Sequence, residues 1–204
     1  MSCDSRHRAS PPSGLETAQP VSAAFGLIGR KRAIRAWRRI GRFRGRPELL
    51  WIWRAQSDLG GIRFALAIRS VALAKRCLQM AVDYSRTRET FGQRLAERQA
   101  IQFMLADSYM EIQSTRWMTY RGAWKLDRRE DARQDISACK VLATEMLWRV
   151  SDRAIQIHGG LGLSKDLPLE RIHRNARVDR IIEGPNEVHR WVIARNLLAD
   201  RVSI

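Results

Sequence analysis

From residue 62 onward, apolar positions recur every three to four residues, the spacing of side chains along one side of an α-helix. Phe64, Ile68, Val71, Leu78 and Val82 form one row, and Leu66, Leu73, Cys77, Met80 and Tyr84 form a second. Two rows on one segment predict a helix lying between neighbours. A second long helix is predicted over about 95–127, where Ile101, Leu105, Ser108, Ile112, Thr115, Thr119, Gly122 and Leu126 fall in step. A third, over about 131–158, carries Ile136, Cys139, Ala143, Met146, Val150, Ala154 and Ile157. The polar stretch 127–131 is the turn between them. A short helix is expected after Pro168 and a last one over about 185–200. No segment alternates as a strand does. Long helices joined by short turns predict an all-α fold, an up-down-up-down four-helix bundle over residues 58–204.

Charge separates this region from what precedes it. The 204 residues carry a net charge of +16. Residues 1–57 hold 12 Lys/Arg against 3 Asp/Glu, a net of +9, whereas 58–204 hold 25 against 18, a net of +7. Residues 1–20 are rich in Ser and Pro, and residues 30–54 mix arginines with aromatics and glycines in no clean period. Residues 1–57 therefore read as a disordered or irregular basic extension. Such a stretch can bind RNA or an anionic surface through charge and stacking, or it can be an extension with no selected role. The second reading is preferred, and no nucleic-acid partner is expected, because nothing downstream resembles a nucleic-acid-binding module. Cys3, Cys77 and Cys139 are far apart with no CxxC pair, which argues against a metal site or a disulfide framework and for a reducing compartment. The cytoplasm is the expected location. The Arg- and Ser-rich, acid-poor N-terminus keeps the mitochondrial matrix as an alternative. No apolar run reaches the roughly 18 residues of a membrane span.

Candidate chemistry concentrates in two short runs. In Arg180-Ile181-Ile182-Glu183-Gly184-Pro185-Asn186-Glu187-Val188-His189, a carboxylate lies between two isoleucines and a Gly-Pro pair. Pro is favoured at a first helical position, so the backbone is expected to turn sharply just after Glu183. The isoleucines are expected to desolvate the carboxylate and the helix N-terminus to oppose that effect, an environment suited to a general base. The simpler reading is an ordinary acid at a helix start. Upstream, Gln156-Ile157-His158-Gly159-Gly160-Leu161-Gly162 is a glycine-rich turn whose backbone N–H groups can approach an anion. It can equally be a helix C-cap. Together the two runs suggest proton abstraction beside a phosphate-bearing ligand.

With a third segment, Thr87-Arg88-Glu89-Thr90-Phe91-Gly92, these runs resemble the C-terminal helical domain of the acyl-CoA dehydrogenase family of flavoenzymes, over about residues 58–200. The resemblance implies FAD as cofactor, an acyl-CoA thioester as substrate and α,β-dehydrogenation as the reaction. It implies a homodimer or homotetramer, with an electron-transferring flavoprotein or oxygen as acceptor. By position, Glu183 matches the family's catalytic base, with Ile182 and Pro185 where Tyr and Thr are usual. Gly184 matches a position beside the thioester, and Arg63 an arginine contacting the CoA adenine, whose usual acidic companion is here Gly60. Arg88 of the Arg-x-x-Phe-Gly signature, with Glu89, Thr90, Arg98 and Gln99, matches positions reaching a neighbouring subunit's FAD. Gln156, Ile157, His158, Gly159 and Gly160 match the turn that meets the adenosine end of that FAD, and Pro185 and Glu187 match flavin contacts.

The family's N-terminal and middle domains have no counterpart in residues 1–57. The expectation is thus the C-terminal part of such an enzyme, with little or no activity as an isolated chain. A non-catalytic oligomerisation subunit or an inert truncated product is the alternative.

Overall fold

The computed structural model describes residues 47–201, with side chains from Gly60 onward. Three long helices, α1 (Pro47–Thr87), α2 (Gln99–Asp127) and α3 (Arg133–His158), are followed by two short ones, α4 (Leu169–Asp179) and α5 (Asn186–Leu198). The residues from Arg54 onward form one compact unit. Residues 47–57, assigned above to the irregular extension, are helical in backbone and continuous with α1. Residues 1–46, including most of the Arg-rich stretch, lie outside the described residues.

The bundle is built around α3. Asp135, Ile136, Cys139, Lys140, Ala143, Met146, Leu147, Val150, Ala154 and Ile157 are all buried along it. The expected row on α2 is also buried, at Ser108, Ile112, Thr115, Thr119 and Gly122. On α1 the expectation needs correcting. Ile68 is 45% exposed, and the inward line runs through Ala67, Ser70, Ala74, Cys77, Ala81 and Ser85. Small side chains win those positions because they let the helices approach closely. Next to them a Cβ on Gly122 would lie 3.0 Å from the Phe64 ring. The α2–α3 turn is held by Asp135, which accepts from Lys125 Nζ at 2.7 Å and pairs with Arg121 at 3.2 Å.

The connection after α1 is more ordered than the apolar pattern predicts. Between α1 and α2, Glu89–Thr90 (β1) pairs antiparallel with Gln93–Arg94 (β2). Phe91 and Gly92 form the turn with φ of 52° and 74°, the doubly left-handed geometry of a tight hairpin. Two-residue strands are too short to show alternation, so only the Phe-Gly pair signals them. A short 3-10 turn, Leu95–Glu97, then delays the start of α2 from 95 to Gln99.

Cys77 and Cys139 are fully buried, and burial pushes both thiols up to about 12. Because the thiolate is the reactive form, both are expected to resist iodoacetamide in the native chain at pH 8 and to react in urea. Mass mapping of the alkylated peptides checks this, and native labelling of either would contradict the packing.

Candidate active site

The Glu183 turn is assembled from four elements. After α4 the chain makes a tight loop, closed by the Asn186 amide donating to the Arg180 carbonyl at 3.1 Å. Within it Glu183 sits at φ 57°, a left-handed conformation that non-glycine residues adopt at a cost of about 1–2 kcal/mol. What holds it there is visible on its own carbonyl. Arg63 Nε of α1 donates to the Glu183 oxygen at 2.9 Å, and His189 Nε2 of α5 lies 3.1 Å from it. A carbonyl only accepts, so Nε2 is the protonated nitrogen of His189. The backbone at 183 is clamped from both sides, while the carboxylate itself is half-buried and has no hydrogen bond to the described residues.

A buried lysine anchors the same loop. Lys140 of α3 is fully buried, and its Nζ donates to Asn186 Oδ1 at 2.7 Å, to the Gly184 carbonyl at 2.8 Å and more weakly to the Arg180 carbonyl at 3.4 Å. The Asn186 amide nitrogen donates in turn to Thr144 Oγ1 at 3.0 Å and to Glu145 Oε1 at 3.2 Å. Glu145 also pairs with Arg190 at 2.7 Å. Burial, and then the neighbouring Arg63, lower Lys140 to about 8, partly offset by Asp179, Glu187 and Glu183. Burial also lowers Arg63, against the attraction of Glu183. His189 is lowered by burial despite its bond to Glu183 and is neutral at pH 7. The carboxylate thus stands in a field of two cations it does not directly bond.

Sequence reasoning missed Lys140, Thr144, Glu145, Asn186 and His189. One signal was readable: Lys140 falls on the α3 face of Ile136 and Ala143, and a charged residue at a core position is almost always paired.

Two expectations at this turn change. Pro185 is the residue just before α5, and Asn186 takes the first helical position. Ile181 and Ile182 are 53% and 39% exposed, so they do not desolvate Glu183 within this chain. The loop turns them outward because its interior is filled by the Lys140–Asn186 network. Arg63, matched above to an adenine contact, commits its Nε to the Glu183 carbonyl. Gly184 adjoins Glu183 at φ 90°, and Glu187 is exposed in the first turn of α5.

The other predicted residues gather at the far end of the bundle. Tyr84, near the C-terminus of α1, stacks on His158 at the end of α3, with ring centroids 4.4 Å apart. This contact brings the Arg88 hairpin and the glycine turn to the same end. Arg88, Glu89 and Gln99 are exposed. Arg98 donates to the Thr90 carbonyl and lies 5.9 Å from the Phe91 ring, with its Nε buried and lacking a partner. In the turn, Gln156, Gly159 and Gly160 face outward, whereas Ile157 and His158 are buried, His158 Nδ1 lying 2.7 Å from the Ala154 carbonyl. A ligand at this turn meets the exposed members and the backbone. Gly159 has φ 61° and ψ −139°, a conformation open essentially to glycine alone, and caps α3. Lys140 and His158 lie eighteen residues apart on α3, about 27 Å. One copy of the chain therefore carries two separate groups, one at each end.

Residues 52–198 match the family model described as acyl-CoA dehydrogenase, C-terminal domain. The chain is 44% identical over 146 residues to (R)-benzylsuccinyl-CoA dehydrogenase of Thauera aromatica, an alignment covering 71% of this chain and 36% of that protein. Among solved structures it is similar to butyryl-CoA dehydrogenase from Megasphaera elsdenii (TM-score 0.67, 36% identity, 69% of this chain and 37% of that one). It is also similar to PigA with FAD and proline (TM-score 0.66, 29% identity, 68% and 36%). The chain thus spans little more than a third of the length of these proteins. Among the described residues, no helix is long and apolar enough to cross a membrane, and no three His, Cys, Asp or Glu side chains cluster as a metal site. On the family match over residues 52–198 and the likeness of its helical bundle to these structures, the chain belongs to the acyl-CoA dehydrogenase family, of which it carries the C-terminal helical domain.

Proposed function

We propose that this chain supplies the base and part of the cofactor-binding surface of a flavin oxidoreductase that dehydrogenates acyl-CoA thioesters between the α and β carbons. The observation that carries the reading is Glu183: a strained, doubly clamped backbone presenting a carboxylate with no hydrogen bond of its own. A non-catalytic subunit has no need of that strain, which is retained where a side chain must be aimed. The Glu183 carboxylate stands near the cations Arg63 and Lys140 without bonding either. Its role is to take the α-proton, and Gly184, at φ 90°, keeps the adjoining backbone close to the thioester.

FAD fits the opposite end. Arg88 is an exposed cation, the Arg98 Nε is orphaned, and a Cβ on either Gly159 or Gly160 would meet nothing within 4 Å. An open glycine backbone beside guanidinium groups suits a pyrophosphate. Bound FAD supplies the acceptor for the hydride that leaves the β-carbon. Arg88, Arg98, Gln99, Gln156, Gly159 and Gly160 are the residues that would hold its charged and nucleoside portions. Pro185 and Glu187, at the other end, are assigned to the ring side. Because one copy separates these groups by about 27 Å, they serve two different cofactor molecules, each shared with a second copy. An electron-transferring flavoprotein is the proposed acceptor, and a reducing compartment, the cytoplasm, the proposed location.

The purified chain given FAD and assorted acyl-CoAs is expected to show no dye-linked turnover, and robust turnover would overturn the division of labour proposed here. A chimera of butyryl-CoA dehydrogenase carrying residues 58–201 in place of its own C-terminal domain is expected to bind FAD and oxidise an acyl-CoA. A folded, FAD-loaded chimera with no activity on any acyl-CoA would refute the reading.

A further inference from the structure

Between α1 and α4 lies an open cleft of about 380 Å³ that neither group of site residues uses. Its floor is apolar: Leu73 of α1 is half-buried and Ile172 of α4 is buried. Its rim is cationic. Arg69 and Arg76 line it from α1 and Arg171 from α4, with Asn175 one turn further along, and among the described residues no acid lines it. Arg76 is thirteen residues from Arg63 and twelve from Arg88 in the chain, about 20 Å and 18 Å along the axis of α1. The cleft is thus separate from both ends of the bundle.

The charges there do not balance. Arg69 is matched, because it pairs with the buried Asp179. Arg76 and Arg171 have no carboxylate and no hydrogen-bond acceptor among the described residues, and both are exposed. The acids nearest to them on the two helices are engaged elsewhere: Glu170 pairs with Arg174 at 3.3 Å, and Asp83 accepts from Gln79 at 3.0 Å. The start of α4 adds to the same positive field. Pro168, its cap residue at the edge of the cleft, offers no side-chain acceptor to the first-turn N–H groups. One arginine on a convex surface is simply hydrated. Cations that converge on a concave, apolar floor concentrate anions instead.

We propose that this cleft binds a small phosphate monoester whose organic part is apolar. Two unmatched guanidiniums balance the charge of such a group, about −2 at neutral pH. The planar fork of arginine meets phosphate oxygens two at a time, and the Asn175 amide adds a further donor. Leu73 and Ile172 offer the ester group an apolar surface. The volume is that of a small-molecule site. The inference rests on cleft shape and charge and is independent of the flavin and thioester chemistry.

The test uses the full 204-residue chain, with phenyl phosphate as the probe and isothermal titration calorimetry at low ionic strength. Saturable binding is expected, tighter than that of inorganic phosphate, which lacks an apolar part, and of benzenesulfonate, which carries a single charge. Arg76→Gln and Arg171→Gln are each expected to weaken it about tenfold or more, the effect of losing one charge-assisted contact. Both side chains are exposed, so helical circular dichroism should not change. Arg171→Lys should recover part of the affinity, because it restores the charge without the fork. Arg174→Gln removes the same charge from the same helix outside the cleft and should have little effect. No saturable binding, equal affinity for benzenesulfonate, indifference to both Arg76→Gln and Arg171→Gln, or an equal loss with Arg174→Gln would each overturn the proposal.

Discussion

Glu183→Gln is expected to lower kcat of the catalytically competent assembly about 10²- to 10⁴-fold, the contribution of a positioned general base. The substitution is unusually clean here. Both clamps, from Arg63 and His189, reach the backbone carbonyl of residue 183, so an isosteric amide leaves them in place. Loop geometry, FAD content and affinity for a non-reactive acyl-CoA analogue should therefore be retained while turnover is lost. Exchange of the substrate's α-proton with deuterated solvent isolates the step, and it should fall in parallel with kcat. Retained α-proton exchange in the Gln variant would assign the base to another residue.

Lys140→Met is expected to cost about 2–4 kcal/mol of folding stability at pH 7, measured by urea denaturation. The methionine fills similar volume, yet it leaves the Gly184 and Arg180 carbonyls and Asn186 Oδ1 without their buried donor. Relief from burying a cation offsets part of this loss, but three acceptors outweigh one desolvated ammonium that is already well bonded.

The pH dependence provides a second readout. Lys140 is lowered from 10.5 to about 8 in the folded chain, so between these values the unfolded state binds more protons at this site. Its burden on stability is therefore full below pH 8 and is relieved as pH rises toward 10.5. Cys77 and Cys139 act in the opposite sense above pH 9, because they stay protonated to about 12 in the folded state only. The difference between parent and Lys140→Met cancels the thiols. It should widen in favour of the parent from pH 8 to 10, and a pH-independent difference would refute the lowering of Lys140 by burial.

Most of the bundle was legible because helix burial has a period that the sequence displays directly. The inward rows of α2 and α3 were read residue by residue. The α1 row was read less well, since Ala67, Ser70, Ala74 and Ala81 carry little hydrophobic signal although close packing needs them. The hairpin at Phe91-Gly92 was invisible to periodicity, because two-residue strands have none.

At the candidate site, local chain chemistry singled out Glu183 and the glycine turn: a carboxylate before Gly-Pro and three glycines after a helix restrict the backbone within a few residues. Which groups surround that carboxylate was settled only by tertiary structure. Arg63, Lys140 and His189 are up to 126 positions apart, and no local pattern relates them. Their approach depends on how helices α1, α3 and α5 cross, and so does the outward turn of Ile181 and Ile182.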